Sequence, residues 1–350
     1  MIPYLLTWGL LALPAQGASR RFRGVALAGL LLAFTLLIGL RLEVGGDWFN
    51  YLPYLDRVTG TPFAEMFQEA EPGYALLNWI GANVGGEVFL VNSVCGLIFS
   101  VGLLRFCRAQ PRPWLALLLA FPYLVVVVAM GYTRQAVAIG FELLALLALE
   151  RDRLLQFLAW IALAASFHRS VLVLLVLPAS TLSGSLRFAQ LIRLALVAGA
   201  GFGLYAAILA PELDTYTAGY IDAAYQSQGA LIRVSLCVLP ALLFLVHRRR
   251  FQLAPTQRRI WTWLAAGAVL AAVGLVTVAS STAVDRLALY LIPLQMFVGS
   301  RLPDTRLYGL SPASWSRLLV LLSLAVLLIW LLFAANASYW LPYRNLLLPF

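Results

Sequence analysis

The sequence predicts an all-α, polytopic membrane protein, built as a single domain over residues 1–350. Two features of composition favour this fold class. Hydrophobic residues make up 62% of the chain and charged residues only 11%, and the mean hydropathy is +0.87. The third feature is the recurrence of long apolar runs, because about 20 apolar residues in a helix cross the hydrocarbon core of a bilayer. This composition excludes the pair of soluble domains that the length alone would suggest.

Twelve apolar segments are candidate membrane-spanning helices. They cover residues 2–15, 24–41, 86–105, 114–130, 135–149, 154–167, 170–182, 191–209, 231–246, 260–279, 284–299 and 316–335. The first lacks the basic flank of a cleaved signal peptide, so we expect it to be retained. Most arginines fall in the loops on one side of this arrangement. The positive-inside rule makes that side cytoplasmic, and both termini are then expected to face outward.

The apolar run 154–180 is interrupted only by His168 and Arg169. As one span it would place this pair in the middle of the bilayer and reverse the side of every later basic loop. Two short helices that meet at the pair keep the basic loops on the cytoplasmic side. Short elements of this kind need protein or a water-filled cavity around their ends.

Five polar stretches interrupt the apolar sequence, and the same topology places all of them at the outer face. They are Arg41–Tyr51, Glu71–Tyr74, Gly131–Gln135, Phe167–Ser170 and Asp285–Tyr290. Because ionisable groups near lipid are costly, they are functional candidates by default. We expect these stretches to meet around one outer-face cavity.

The motifs in these stretches resemble those of the EpsG family of Wzy-type exopolysaccharide and O-antigen polymerases. The matching residues, in the same order, are Arg41, Gly46-Asp47, Tyr51, Glu71-Pro72-Gly73-Tyr74, Arg134-Gln135 with Ala138, and Phe167-His168 with Ser170. The resemblance implies an enzyme at the periplasmic face of the bacterial inner membrane. It would join oligosaccharide repeats carried on undecaprenyl diphosphate, transferring the growing chain from its lipid to an incoming lipid-linked repeat.

Such a reaction needs a cationic pocket for the lipid diphosphate. Four outer arginines beside the motifs are candidates: Arg41, Arg134, Arg169 and Arg286. The planar guanidinium suits this task because it binds phosphate oxygens in a bidentate manner and stays charged when desolvated. Further substrate contacts are expected from Tyr51, Tyr74, Gln135 and Tyr290.

Positioned cations can stabilise the leaving group without a metal, and the sequence has no Asp-x-Asp motif. We therefore expect a metal-independent glycosyltransferase without a cofactor.

The reaction also needs a base for the attacking sugar hydroxyl, and three residues compete. Asp47 follows a glycine pair that allows close approach of a substrate, but it could instead pair with Arg41. Glu71 could instead cap the helix that Pro72 begins. His168 could be a hydrogen-bonded interior histidine. The resemblance does not decide among Asp47, Glu71 and His168.

Other polar residues have structural interpretations. Glu142 is expected to pair with an arginine inside the bundle, and Asp285 with its neighbour Arg286. His247, in a basic loop, is expected to anchor the cytoplasmic side. The cysteines Cys95, Cys107 and Cys237 lack the spacing of a disulfide or metal site.

Two outer loops, 42–85 and 211–230, are predicted. The first contains an amphipathic or re-entrant helix. The second interleaves carboxylates with tyrosines, which suits either a carbohydrate path or an interfacial aromatic belt.

Other functions in the same setting stay open. A lipid-linked glycan transferase such as an O-antigen ligase would share the cationic pocket and differ in acceptor. A flippase for the lipid-linked oligosaccharide would need charges through the depth of the bundle, and an acyltransferase built on His168 would need a second polar catalytic residue beside it. The expected partners are the lipid-linked oligosaccharide, the bilayer, and the chain-length regulator and flippase of the same pathway. Topology explains the net charge of +10, so nucleic acid is not an expected partner.

Overall fold

The computed structural model describes residues 1–17, 22, 24–68, 70–182, 188–206, 229–278 and 280–347. Across these ranges the chain is all-helical and contains no β-strand, as the sequence predicts. The predicted outer loop 211–230 lies almost wholly outside the described residues.

Fourteen α-helices are labelled here in chain order within the described residues. They are α1 Ile2–Gln16, α2 Gly24–Gly39, α3 Trp48–Val58, α4 Pro72–Asn83, α5 Glu87–Arg108, α6 Pro113–Ala120, α7 Thr133–Glu150, α8 Leu154–Ala165, α9 Phe188–Leu204, α10 Ala230–His247, α11 Pro255–Thr277, α12 Ser281–Ala288, α13 Pro293–Gly299 and α14 Pro312–Phe333. A π-helix, Phe121–Ala129, extends α6, and a 3₁₀-helix, Arg169–Thr181, follows α8.

Four helical stretches of the described chain are long and apolar enough to cross a membrane. They are Glu87–Arg108, Ala230–Phe251, Pro255–Thr277 and Pro312–Phe333. Five further apolar helices are shorter. These lengths identify a helical membrane protein, and the number of twelve crossings stays a prediction.

One predicted span has a different form in the structure. Segment 284–299 is not a single helix, because Ser281–Ala288 and Pro293–Gly299 are joined by the 3₁₀ turn Leu289–Leu291. Pro293 has no amide hydrogen to donate to the preceding turn, so the α-helical pattern is interrupted there.

The break at His168 lies where the sequence places it, since α8 ends at Ala165 and the 3₁₀-helix begins at Arg169. A 3₁₀-helix rises about 2.0 Å per residue against 1.5 Å in an α-helix. The 13 residues of this segment therefore extend about 26 Å, further than an α-helix of the same length.

Helix α7 lies at the centre of the bundle, between α5 and α8. The approach of α5 and α7 is close because Gly102 and Gly140 face each other, and a Cβ added to Gly102 would collide with the Gly140 carbonyl oxygen. Small residues permit this kind of contact between membrane helices. The crossing fixes the height and rotation of α7, which carries Arg134 and Gln135 at its first turn.

After α14 the chain returns along the segment that precedes α3. The Leu42 amide donates to the Arg344 carbonyl at 3.0 Å, and the Leu346 amide donates to the Leu40 carbonyl at 2.9 Å. An isolated bridge joins Arg41 to Asn345. The C-terminal segment therefore packs against the first polar stretch of the chain.

The close α5–α7 contact makes Gly102 sensitive to substitution. We expect Gly102→Ala to lower stability by about 1–3 kcal/mol, the usual cost of overpacking a well-packed core. Thermal unfolding of the purified protein in detergent measures the effect. The matched control is Gly29→Ala, since an added Cβ there meets nothing within 4 Å. Equal unfolding temperatures for the two variants would contradict this packing.

Candidate functional site

The centre of the candidate site is Glu71, which lies between two arginines from other parts of the chain. Arg134 Nη1 lies 2.6 Å from Glu71 Oε2, and Arg169 Nε lies 3.6 Å from Glu71 Oε1. The Glu71 and Arg169 side chains are 6% and 8% exposed, whereas the Arg134 side chain is 24% exposed. Glu71 makes no side-chain hydrogen bond to the start of α4. Glu71 is therefore the N-cap residue of α4 by position, but its side chain does not cap the helix, because its oxygens face the two guanidinium groups.

The turn that carries Glu71 is fixed by the two residues that follow it. Pro72 is the first residue of α4, where a missing amide hydrogen costs nothing. The Gly73 amide donates to the Ser166 carbonyl at 2.8 Å. A Cβ on Gly73 would lie 2.6 Å from Ser166 Oγ and 2.8 Å from the Phe167 ring. Only glycine lets this turn pack so closely against the break between α8 and the 3₁₀-helix.

Aromatic rings line one side of Arg134. Its guanidinium carbon lies 5.2 Å from the centre of the Tyr54 ring and 5.8 Å from that of Tyr74, within the range of cation–π attraction. The Tyr51 ring contacts both of these rings. Sequence reasoning missed Tyr54, although it lies three residues after Tyr51 and therefore on the same face of α3.

Asp47 is half-buried and immediately precedes α3. Its carboxylate accepts hydrogen bonds from the Asn50 amide, at 3.4 Å, and from the Tyr51 hydroxyl. Burial raises the pKa of Asp47 above its ordinary value, and the charges of Arg286 and Arg134 oppose that shift. A carboxylate with a raised pKa is a stronger base than an exposed aspartate.

Arg41 does not lie where a phosphate could reach it. The residue is fully buried, and its guanidinium donates to the carbonyls of Ile38 and Val44, to Asn92 Oδ1 at 3.3 Å and to Thr133 Oγ1 at 2.8 Å. It forms no ion pair with Asp47. The predicted diphosphate contact does not fit this geometry, because every edge of the guanidinium is used to connect α2, α5 and the start of α7.

His168 lies in the break before the 3₁₀-helix and forms a compact group with two hydroxyls. Its Nδ1 is 2.7 Å from Ser170 Oγ and 3.1 Å from the Tyr290 hydroxyl, and the two hydroxyl oxygens are 3.1 Å apart. Burial, with the charges of three neighbouring arginines, lowers the pKa of His168 well below its ordinary value. The imidazole is therefore neutral, and its Nε2 is free of these contacts.

Arg286 lies over the Tyr132 ring, with its guanidinium carbon 4.0 Å from the ring centre. The Gln135 amide nitrogen donates to the Arg286 carbonyl at 2.7 Å. The expected ion pair between Asp285 and Arg286 is wrong, because Asp285 binds Arg233 through both oxygens at 2.6 and 2.7 Å. Arg233 was missed, although an arginine near the outer end of an apolar segment runs against the positive-inside pattern.

Glu142 has no ionic partner. It is fully buried in α7, and neither carboxylate oxygen has a hydrogen-bond partner among the described residues. The predicted pairing with an arginine is therefore wrong. The arginine of this helix, Arg134, lies at its N-terminal end and pairs with Glu71 instead.

The predicted site residues divide into two groups by exposure. Asp47, Arg134, His168 and Arg286 are half-buried, and the electrostatic neighbours of both Asp47 and His168 include Arg134 and Arg286. The others are buried and surround this group: Tyr51, Glu71, Tyr74, Arg169, Gln135 and Tyr290. Residues distant in sequence thus form one cluster with an accessible carboxylate, imidazole and two guanidinium groups.

The predicted outer-face cavity stays a prediction. An apolar pocket of the described residues lies elsewhere, between α10, α13 and α14. Within the described ranges, no group of three or more His, Cys, Asp or Glu side chains is placed to hold a metal ion.

Comparison with known proteins gives one match. The family model described as EpsG family matches residues 26–345. No curated protein and no solved structure matches the chain.

The ion pairs of Glu71 and Glu43 allow a matched test of the cluster. Glu71→Gln removes the carboxylate that faces Arg134 and the buried Arg169, and breaking a buried pair costs up to about 3–5 kcal/mol. Glu43→Gln breaks a pair of similar length, 2.7 Å to Arg344, whose side chains are 44% and 47% exposed, and exposed pairs contribute about 0–1 kcal/mol. We expect a clear fall in unfolding temperature for Glu71→Gln only. A similar fall in both variants would mean that burial does not set the strength of the Glu71 bridge.

Proposed function

The chain belongs to the EpsG family, and from this we propose that it is a Wzy-type polysaccharide polymerase. In this proposal it joins undecaprenyl-diphosphate-linked oligosaccharide repeats at the periplasmic face of the bacterial inner membrane. The twelve predicted crossings would bring the cluster around Glu71 to that face. The observation that carries the proposal is an accessible carboxylate beside two accessible arginines in a helical membrane protein.

Arg134 and Arg286 are the proposed contacts of the lipid diphosphate. Both are half-buried, so a substrate can reach them while much of the surrounding water is excluded. Guanidinium groups in such a setting stabilise the charge that the leaving diphosphate acquires. Arg169 is more deeply buried and acts with Glu71 to hold Arg134 in place.

Asp47 is the proposed base. Asp47 is partly exposed and burial raises its pKa, whereas both Glu71 oxygens already face arginines. Asp47 would take the proton from a hydroxyl of the incoming lipid-linked repeat. That oxygen would then attack the anomeric carbon of the growing chain. The bond from this carbon to the diphosphate breaks, and the lipid diphosphate leaves with the electron pair beside Arg134 and Arg286.

His168 is the proposed donor of a substrate hydrogen bond. Its Nδ1 is held by the hydroxyls of Ser170 and Tyr290, and a neutral imidazole can then present an Nε2 hydrogen. No metal or cofactor enters this scheme. The flippase and chain-length regulator of the same pathway are the proposed protein partners.

Replacement of Arg134 tests the cationic site. We expect Arg134→Ala to leave surface glycans of single repeats in place of long chains, because the leaving group loses its main accessible cation. Arg134→Lys should recover little, since an ammonium cannot bind phosphate in the bidentate manner. The readout is a gel of surface glycan from a deletion strain that carries each variant.

His247→Ala is the control for that experiment, because His247 hydrogen-bonds to Tyr308 and lies beside exposed arginines far along the chain from the cluster. It should give normal chains. Normal chain length with Arg134→Ala would contradict the proposal. Loss of attachment to lipid A in the deletion strain would indicate a ligase instead, and lipid-linked repeats trapped at the inner face would indicate a flippase.

The pH dependence of turnover tests Asp47. A base acts only when deprotonated, so the rate should fall as the pH drops through the pKa of Asp47. Because burial raises that pKa, the acid limb should lie above the pH at which an ordinary aspartate titrates. Turnover by purified protein in nanodiscs gives the profile. We expect Asp47→Asn to lose at least about 10²-fold in rate, the lower range for general-base catalysis. An unchanged acid limb in that variant would assign the base to another group.

A further inference from the structure

The C-terminal segment supplies a residue that none of the polar motifs includes. Trp340 follows α14 and is 1% exposed. Its indole nitrogen donates to the Val126 carbonyl at 2.7 Å, and its ring packs edge-on against Trp330 with the ring centres 5.2 Å apart. Val126 belongs to the π-helix that leads into the Gly131–Gln135 stretch. Trp340 is therefore fixed at its polar edge by the core of the bundle.

The six-membered ring of the same indole packs against two motif loops. A Cβ on Gly131 would lie 2.6 Å from Trp340 Cζ2, and a Cβ on Gly46 would lie 3.7 Å from Cη2. Gly46 directly precedes Asp47, and Gly131 lies three residues before Arg134. One rigid ring thus packs against the backbone next to the proposed base and close to the proposed cation.

Backbone contacts hold the Asp47 loop against this ring. The Gly45 amide donates to the Tyr339 carbonyl at 2.8 Å. Gly45 has φ +106°, a conformation that favours glycine, and a Cβ there would collide with the Met130 carbonyl oxygen. The loop is therefore packed between the end of the π-helix on one side and the C-terminal segment on the other.

We propose that Trp340 is a positioning residue, which maintains the spacing between Asp47 and Arg134 by packing against both of their loops, at Gly46 and at Gly131. This inference rests on the proposed function. A displacement of about 1 Å in a reacting group can cost about 10²-fold in rate. The Trp340 ring is rigid and is hydrogen-bonded to the core, so it limits such displacement. Supporting contacts of this kind hold the reacting groups of a preorganised site in place.

Two substitutions at Trp340 test the proposal. Trp340→Phe keeps an aromatic ring in the core but removes the far edge that meets the glycines, and Trp340→Leu removes the ring. We expect both to lower kcat, up to about 10²-fold for Trp340→Leu, with KM changed by less than about threefold, since the accessible arginines are retained. The matched control is Trp261→Phe, which makes the same change in an equally buried tryptophan whose indole donates to Glu150 at the other end of α7, and it should leave kcat unchanged.

The pH dependence of kcat distinguishes a positioning role from a general loss of packing, because loss of packing alone would not shift it. A loosened Asp47 loop admits water to the carboxylate, and burial is the main cause of the raised Asp47 pKa. The acid limb of kcat in Trp340→Leu should therefore shift to lower pH. In Trp261→Phe the acid limb should stay at the wild-type pH.

The glycine on the other side of the ring gives an independent test. Gly131→Ala adds a methyl group against Trp340 and should lower kcat. Combined with Trp340→Leu, which vacates that space, it should cost little beyond Trp340→Leu alone. Contacting residues show this non-additivity, whereas independent sites do not.

All assays use the full-length protein in nanodiscs with lipid-linked oligosaccharide extracted from a deletion strain. Wild-type kcat in both Trp340 variants, while Asp47→Asn is inactive, would overturn the positioning role and leave the proposed function intact. Full activity of Asp47→Asn and Arg134→Ala would overturn the proposed function itself. Should Trp340→Leu fail to fold, Trp340→Phe and the Gly131→Ala pair decide the question.

Discussion

The bridge of Glu71 between Arg134 and Arg169 is the interaction on which the arrangement of the site depends. Arg169 is almost completely buried, and a buried guanidinium without a counterion would cost several kcal/mol. The carboxylate of Glu71 removes that cost, and in doing so it joins the start of α4 to α7 and to the 3₁₀-helix. The close packing of Gly73 on Ser166 makes the same connection through the backbone. Electrostatics and steric fit therefore specify one position for helix α4.

Counted over the described residues alone, this arrangement gives the cluster more arginines than carboxylates. Glu71 faces two arginines, while Asp285 is matched by Arg233 and Asp47 lies near Arg286. The imidazole of His168 adds no charge, because burial and its arginine neighbours keep it neutral. An anion of the diphosphate class complements such a site, and Arg134 is one of its accessible arginines.

The sequence predicted the helices and the membership of the cluster better than it predicted individual contacts. Apolar runs identify helices because burial in lipid requires them, and the break at His168 follows from the cost of charge in the bilayer. Partners are harder to predict, because they depend on how each helix is rotated. Asp285 binds Arg233 and not the adjacent Arg286. Arg41 makes only internal hydrogen bonds, because the end of its helix packs against Thr133.

The role of Trp340 could not be predicted from the sequence for a different reason. Trp340 belongs to no sequence motif that would predict its neighbours. Its contacts with Gly46 and Gly131 form only because the chain returns across the bundle after α14. The glycines were visible in the sequence, but their partner was not. Predicting this contact requires the path of the segment after α14, which neither periodicity nor charge specifies.

Asp47 and the proposed site of the leaving diphosphate lie near the same two arginines. This links proton transfer to the departure of the leaving group in the proposed reaction. Arg134 and Arg286 oppose the rise in the pKa of Asp47, so in the absence of substrate they favour its charged form. A bound diphosphate offsets part of their field and makes the carboxylate a stronger base when the acceptor is present. As Asp47 takes up a proton its negative charge disappears, while negative charge grows on the departing diphosphate. The arginines thus face a nearly constant total charge throughout the transfer, which allows a rigid site to serve both steps without reorganisation.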